Sequence, residues 1–295
     1  MHRRSITPRH FALTAAATLT LACARDTSGS GPRVVCVSKQ INEFLYEIHA
    51  ESVLVARDLT SIYPPQITKL TSVGYHRALS AEGIISMRPT MLLTDGNFGP
   101  AAVSEQVKKV GIPIVTMTPG AGQDSAQLLM AQLGKEFHHE KSADSVIAQW
   151  KTDMNAALAD TMKWAGKPKP RVMIMHMGQI ANSYLAIKRG SAGDQIIQWA
   201  GGVNAIDSTG GMQRLTPEII AKAAPDIIIA TDVGFDRYGS AEKFATMPGV
   251  DLTPAGKNHR IYRIDETDVM YYGPRTPDGI KRLEAFFHPA AAAKH

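Results

Sequence analysis

The sequence predicts an α/β protein in which two Rossmann-like lobes with mostly parallel sheets are joined by one long spanning α-helix. Short apolar runs alternate with helical patterns in both halves of the chain, which is typical of parallel sheets covered by helices. A single long amphipathic segment separates the two halves. The 295 residues are enough for two lobes of roughly 100–150 residues each.

The N-terminal lobe is assigned to residues 33–141. Four runs in it are apolar and short, as expected of buried strands: residues 33–37, 53–56, 90–94 and 112–116. Between the first two runs, residues 41–48 have a helical pattern.

The C-terminal lobe, residues 167–290, repeats this alternation. Its apolar runs predict strands at residues 171–175, 226–230 and 260–264. A helix is expected to begin with the capping-box pattern of Ser191 to Asp194 and to end at Gly201-Gly202. Residues 291–295 are expected to form a frayed tail.

Residues 142–166 are expected to form the helix between the lobes. Apolar side chains recur there at spacings of three and four, at Ile147, Trp150, Met154, Leu158 and Met162. Gly166 and Pro168 end the pattern. At about 1.5 Å per residue, roughly 24 residues reach about 36 Å. A rigid connection of this length predicts that the lobes close only slightly on a ligand.

Two helix starts match each other across the lobes. Ser80 and Thr216 are good N-cap residues, and each is followed two residues later by a glutamate, Glu82 or Glu218. A proline follows each cap at the ninth position and precedes a strand. Glutamate is an ordinary residue in a first helical turn, but that preference alone does not place the two at matching points of two lobes.

The N-terminus has the pattern of an export signal. Residues 1–10 are basic, about 12 apolar residues follow, and a small-x-small motif ends at residue 24, which predicts a cleaved signal peptide over residues 1–24. Residues 25–32 are a Ser/Gly-rich linker. The pair Arg3-Arg4 leaves the twin-arginine export route open, and Cys23 leaves a lipid anchor open.

The composition argues against two other classes of protein. The formal net charge is +5, and three of the positive charges lie in the export signal, so a nucleic-acid partner is not expected. Dinucleotide, P-loop and nucleophile-elbow glycine motifs are absent, so an enzyme is not expected. His138, His139 and Glu140 have metal-ligating side chains, but adjacent helical residues point in different directions. Cys36 lies in an apolar run and is expected to be a buried thiol.

Residues 33–288 resemble the helix-linked (class III) periplasmic binding proteins, which serve ABC importers of haem, cobalamin and ferric siderophores. In that family one glutamate on each lobe contacts arginines of the permease dimer, and by position these are Glu82 and Glu218. Residues 74–84, Gly-Tyr-His-Arg-Ala-Leu-Ser-Ala-Glu-Gly-Ile, are similar to the haem-binding subgroup. So are Tyr63-Pro64-Pro65 and Gly273-Pro274-Arg275.

This resemblance implies that Tyr75 is the axial ligand of the iron of haem b and that Arg275 lies near it. The chemistry is reasonable, because ferric iron favours a phenolate oxygen and a nearby guanidinium stabilises that anion. Arg77, Tyr63, Tyr271 and Tyr272 are expected close to the haem, and Arg77, Lys188 or Arg189 could bind its propionates. His76 is either a second ligand or an exposed loop histidine.

The expected function is therefore capture of ferric haem (hemin) in the cleft between the lobes of a periplasmic protein, and its delivery to an ABC permease. An outer-membrane haem receptor could act upstream. A ferric siderophore or cobalamin is the alternative ligand for the same fold. Few tryptophans are available for a corrinoid site, since the chain has only three.

Overall fold

A computed structural model describes residues 31–118, 120, 122–177 and 183–289. The predicted signal peptide, Cys23, most of the linker and the predicted tail lie outside these residues. Within the described residues, no helix is both long enough and apolar enough to cross a membrane. Pro32 begins the compact unit that contains every helix and strand discussed below.

The first sheet has five parallel strands in the order β3-β2-β1-β4-β5. Its strands are β1 (Val34–Cys36), β2 (Leu54–Arg57), β3 (Thr71–Ser72), β4 (Met91–Thr94) and β5 (Ile114–Thr116). The helices of this lobe are α1 (Lys39–Glu47), α2 (Ala81–Ser86), α3 (Ala101–Lys109) and α4 (Ser125–Glu136). All four predicted strands are confirmed, with ends shifted by one or two residues, and so is the helix predicted at residues 41–48.

The second sheet has the order β11-β10-β6-β7-β9, and β8 pairs with β6 outside this path. Its strands are β6 (Arg171–His176), β7 (Leu185–Ile187), β8 (Val203–Asn204), β9 (Met212–Arg214), β10 (Ile227–Thr231) and β11 (Ile261–Ile264). The helices are α6 (Ala192–Trp199), α7 (Pro217–Ala223), α8 (Asp232–Asp236), α9 (Ala241–Ala245), α10 (Pro254–Lys257) and α11 (Thr276–Phe287). Pairing is parallel except along β7, which is antiparallel to both β6 and β9. The predicted fold class, with mostly parallel sheets in both lobes, is confirmed.

The helix between the lobes is α5 (Glu140–Thr161), which at about 1.5 Å per residue is roughly 33 Å long. It packs against α4 of the first lobe and α11 of the second. Trp150 is buried on this face, and its Nε1 donates to the carbonyl oxygen of Gly273 at 3.0 Å. Met162, expected on the same apolar stripe, is instead 69% exposed because the α-helix has already given way to a 3-10 turn.

One apolar core runs through both lobes. It contains Val34 and Phe44 on the first side, Ile174 and Leu283 on the second, and Trp150 of α5 between them. Burial of this continuous apolar surface stabilises the two lobes as one body. The core therefore supports the limited closure that the helical connection predicts.

The two matched helix starts have the predicted caps. The hydroxyl of Ser80 accepts from the backbone N–H of Gly83 at 3.0 Å, and that of Thr216 accepts from Ile219 at 3.3 Å. Each cap satisfies one of the backbone donors that the first turn of a helix leaves unpaired. Pro217 occupies the first turn of α7, where its missing N–H costs nothing.

Candidate functional site

A cleft of about 490 Å³ lies between the two sheets. It opens at the carboxyl ends of the parallel strands, where ligands of open α/β sheets bind. Residues just beyond β1, β4 and β10 line it, as does the last residue of β6: Ser38, Asp95, Asp232 and His176. The volume lies within the range of about 300–1,000 Å³ found for small-molecule sites.

The structure brings most of the predicted site residues to this cleft. They are Tyr63, Tyr75, His76, Arg77, Tyr271 and Arg275. Tyr75 and its two successors occupy the loop between β3 and α2, and Arg275 precedes α11. Residues that are 200 positions apart in the sequence thus face the same space, as the sequence predicts for the two lobes.

Tyr75 projects from a loop that is hydrogen-bonded on both sides. The carbonyl oxygen of Gly74 accepts from the backbone N–H of Leu59 at 2.7 Å, and that of His76 accepts from Gly99 at 2.9 Å. Gly74 has φ +107°, a conformation that a residue with a Cβ rarely adopts. The ring of Tyr75 is half-buried beside the cleft.

His76 contacts both Tyr75 and a buried carboxylate. Its ring centroid lies 4.5 Å from that of Tyr75, and its Nδ1 is 3.7 Å from Oδ2 of Asp58. Asp58 is fully buried and accepts hydrogen bonds from Thr60 and Ser61. Burial opposes ionisation of Asp58, but the nearby imidazole of His76 and hydrogen bonds from Ser61 and Thr60 hold its pKa below the ordinary value. The carboxylate therefore stays charged beneath the loop.

Arg275 is not paired with Tyr75 in this structure, although the resemblance implied that it would stabilise the phenolate. Its Nε donates to Oε1 of Glu43 at 2.7 Å, and its Nη1 lies 2.9 Å from Oδ1 of Asp268. Its guanidinium carbon lies 3.9 Å from the ring centroid of Tyr63, which is a cation–π contact. Burial opposes the charge, but the hydrogen bond to Glu43 and the nearby carboxylates raise the pKa of Arg275, so the group stays protonated.

These contacts of Arg275 connect the two walls of the cleft. Two further contacts of α1 do the same: Lys39 pairs with Glu266 at 2.8 Å, and the amide of Gln40 donates to the carbonyl oxygen of Tyr272 at 3.0 Å. Helix α1 is thereby attached to the segment between β11 and α11, which lines the cleft.

Tyr272 does not lie beside the cleft, contrary to the sequence-based expectation. It is 5% exposed and packs in the core, with its ring centroid 5.5 Å from that of Trp199. Its neighbour Tyr271 lines the cleft instead. The hydroxyl of Tyr271 is buried with no hydrogen-bond partner among the described residues, and burial raises its pKa well above the ordinary value.

Sequence reasoning missed the C-terminal wall of the cleft. His176 ends β6 and its Nδ1 lies 3.2 Å from the hydroxyl of Thr231, while burial lowers its pKa. Asp232 begins α8, and burial raises its pKa. Apolar side chains complete the lining: Ile62, Leu185, Met212, Val233 and Met270. Its place in the sequence could have identified His176, because it directly follows a strand that is predicted from its apolar run.

The charges in the cleft are unevenly distributed. Lys39 and Arg275 are held by carboxylates, whereas Arg77 is exposed and pairs with no carboxylate of the described residues. Lys188 and Arg189, expected as further cations, do not line the cleft, and Arg189 pairs with Asp207 at 2.7 Å. An anionic group of a ligand therefore has Arg77 as its most accessible cation.

Glu82 and Glu218 are both exposed in the first turns of α2 and α7. The side-chain hydrogen bond with Thr216 lowers the pKa of Glu218. A second, shallow pocket adjoins Glu82 and is lined in part by Ile85 and Val110. Both glutamates are therefore available to a partner outside the cleft.

Across the described ranges, no group of three or more His, Cys, Asp or Glu side chains converges so that it could hold a metal ion. His138 and Glu140, just before and at the start of α5, are exposed. The thiol of Cys36 is buried, and burial raises its pKa.

Two α/β lobes with a cleft between them and a rigid helix behind them form a protein that holds a small molecule. The sequence profile described as Periplasmic binding protein matches residues 34–267, and the chain belongs to this family.

Two curated relatives cover most of the chain. An uncharacterized ABC transporter substrate-binding lipoprotein, YvrC of Bacillus subtilis (strain 168), is 24% identical over 259 residues, 87% of this chain and 80% of the relative. A vitamin B12-binding protein of Pectobacterium atrosepticum is 23% identical over 199 residues, 67% of this chain and 70% of the relative.

Two solved structures share the fold over nearly the whole of their chains. The apo form of the periplasmic heme-binding protein RhuT from Roseiflexus sp. RS-1 has a TM-score of 0.80 and 28% identity, and the match covers 89% of this chain and 100% of that one. The periplasmic heme-binding protein BhuT in complex with two hemes has a TM-score of 0.78 and 27% identity, with 88% and 98% covered.

Proposed function

We propose that this chain is an exported binding protein that captures ferric haem in the cleft between its lobes and delivers it to an ABC permease. The observation that carries the proposal is that Tyr75 lines a cleft of about 490 Å³ between the lobes. Similarity to heme-binding proteins of the same fold supports haem as the cargo. The family supports a periplasmic location.

The lining suits a flat, largely apolar ligand with an iron centre. The phenolate of Tyr75 supplies a hard oxygen for ferric iron, and coordination itself favours loss of the phenolic proton. Apolar side chains such as Ile62 and Met212 offer contact with the macrocycle. Arg77 is assigned to a propionate, because it is the accessible cation of the cleft.

The experiment is a titration of the purified mature protein with hemin, followed by visible absorption. Wild-type protein is expected to give a high-spin ferric spectrum with a charge-transfer band at the red end of the visible range. Tyr75→Phe keeps the ring and removes the oxygen, so it should lose that band and bind at least tenfold more weakly. Tyr262→Phe is the matched control, because Tyr262 stacks on Phe286 and does not line the cleft. Equal spectra for wild type and Tyr75→Phe would disprove ligation by Tyr75.

Vitamin B12 is the second candidate ligand, because several curated relatives carry that name. Among the described residues, the three tryptophans do not line the cleft, and its aromatic residues are tyrosines and histidines. A parallel titration with cyanocobalamin separates the two ligands. Micromolar binding of cyanocobalamin without any change in hemin absorption would replace haem by a corrinoid.

A further inference from the structure

The backbone around Tyr75 is fixed, but the backbone alone does not fix the direction of its ring. Hydrogen bonds to the carbonyl oxygens of Gly74 and His76 hold the peptide units on either side. The side chain still rotates about two bonds unless a neighbour packs against it. One such neighbour is the imidazole of His76, whose ring plane is tilted by 52° to that of Tyr75 at a centroid separation of 4.5 Å.

His76 is itself held in place from below. Its Nδ1 faces Oδ2 of Asp58 at 3.7 Å, which is long for a hydrogen bond and close enough for electrostatic attraction. Asp58 is immobile, because it is fully buried directly after β2 and accepts from the backbone N–H of Thr60 at 2.9 Å and from the hydroxyls of Thr60 and Ser61. A rigid carboxylate thus fixes the imidazole on which Tyr75 packs.

We propose that His76, oriented by Asp58, is a positioning residue that holds the phenol of Tyr75 toward the cleft before the ligand arrives. The inference rests on the proposed function, since it assigns a role to His76 in ligation by Tyr75. This role differs from both alternatives that the sequence left open for His76, a second iron ligand or an exposed loop histidine. A histidine whose Nδ1 faces a buried carboxylate and whose ring packs on the tyrosine supports the ligand without itself being one.

His76 is expected to increase the affinity for hemin by orienting Tyr75 before binding. Ordering a free side chain on binding weakens affinity, so His76→Ala should raise the dissociation constant of hemin by roughly three- to tenfold. The same variant should shift or broaden the charge-transfer band, because the phenolate then reaches the iron in several geometries. His76→Phe keeps an aromatic ring beside Tyr75 and should restore part of the affinity. His138→Ala is the control, since His138 is exposed and does not line the cleft.

The role of Asp58 is tested by comparing the effect of Asp58→Asn with and without His76. In the wild-type background, Asp58→Asn should weaken hemin binding and change the band in the same direction as His76→Ala. In the His76→Ala background, the added Asp58→Asn change should have no further effect on the band, because the carboxylate acts through the imidazole. If Asp58→Asn does not fold, the single His76 variants still decide the proposal, because His76 lies in a surface loop.

Three results would overturn the inference. The first is a wild-type dissociation constant and band in His76→Ala, while Tyr75→Phe loses the band, which leaves the proposed function intact. The second is loss of a low-spin, six-coordinate spectrum in His76→Ala, which would make His76 an iron ligand. The third is a wild-type protein with no Tyr75-dependent spectrum at all, in which case the proposed function fails and this role fails with it.

Discussion

Nε of Arg275 donates to Oε1 of Glu43 at 2.7 Å, and this ion pair joins the two walls of the cleft. The two side chains are largely removed from water, with 14% and 3% of their surfaces exposed. Glu43 belongs to α1 of the first lobe, whereas Arg275 directly precedes α11 of the second. The pair therefore links the two lobes across the cleft.

Arg275→Ala is expected to destabilise the protein by about 3–5 kcal/mol, because it leaves the buried carboxylate of Glu43 without its partner. It also removes the cation–π contact with Tyr63. The measurement is the free energy of unfolding from urea denaturation at pH 7.

A double variant serves as the control for the ion pair. Glu43→Leu combined with Arg275→Met leaves no unpaired charge at these two positions, so it should be more stable than Arg275→Ala alone. Glu43→Leu and Arg275→Met are also measured singly. If the loss of stability in the double variant equals the sum of the losses in these two single variants, the two side chains do not interact in solution.

Trp150 attaches the long helix to the second lobe. Trp150→Phe keeps most of the apolar ring but removes the hydrogen bond to the carbonyl oxygen of Gly273, which retains the backbone N–H of Thr276 as a donor, so the loss should be about 0.5–1.5 kcal/mol. Urea denaturation measures the loss. Met162→Ala, at an exposed position just beyond the helix, should change stability by less than about 0.5 kcal/mol. Comparable losses in the two variants would contradict a specific anchoring role for Trp150.

The elements that the sequence predicts well are those whose signal is local. Strands β1 and β10 are continuous apolar runs, and the caps Ser80 and Thr216 act on residues three positions away. β3 was missed because its two residues are exposed and polar, so no apolar run marks it. Strands β7, β8 and β9 were also missed, and the antiparallel pairing of β7 depends on how the chain returns to the sheet.

The candidate site was predicted less completely, because side-chain partners far apart in the sequence leave no pattern in it. Arg275 and Glu43 are separated by 232 positions, so their ion pair could not be read from either segment. Tyr271 and Tyr272 are adjacent and chemically identical, and only the course of the backbone decides which of them faces the cleft. Asp58, beneath His76, lies in a stretch that gave no reason to single it out.

Asp58 should make part of the stability dependent on pH. Its pKa in the folded state is below the ordinary value of 3.8, so its ionised form stabilises the fold above that pH. This contribution is lost as the pH falls below 3.8 toward the folded pKa. Asp58→Asn should therefore be less stable than wild type by about 1–3 kcal/mol at pH 7, and the difference should shrink by pH 3.

Asp236→Asn is the matched control for this titration. Its hydrogen bond with Arg263 also lowers the pKa of Asp236, but that pair is exposed to solvent. Exposed pairs contribute little, so the control should lose less than about 1 kcal/mol at pH 7. Urea midpoints at the two pH values decide the matter. A deficit in Asp58→Asn that is the same at pH 3 as at pH 7 would mean that ionisation of Asp58 is not the cause.

The prediction that Glu82 and Glu218 contact the permease is tested by separating binding from delivery. Both side chains are exposed outside the cleft, so Glu82→Ala and Glu218→Ala should leave the hemin dissociation constant unchanged. If each contacts an arginine of the permease, each variant should slow hemin uptake severalfold in vesicles that contain the importer. The double variant should nearly abolish uptake.

Glu242 provides a control with the same local chemistry. Ser240 caps α9 just as Ser80 caps α2, and Glu242 occupies the same place in the first turn, exposed to solvent. The pattern of a cap followed two residues later by glutamate thus occurs three times in the part of the chain that the structure describes, and helix-start chemistry alone does not distinguish a docking residue. Glu242→Ala should transport hemin at the wild-type rate. Equal impairment in all three single variants would instead indicate a general loss of negative charge and would remove the special role of Glu82 and Glu218.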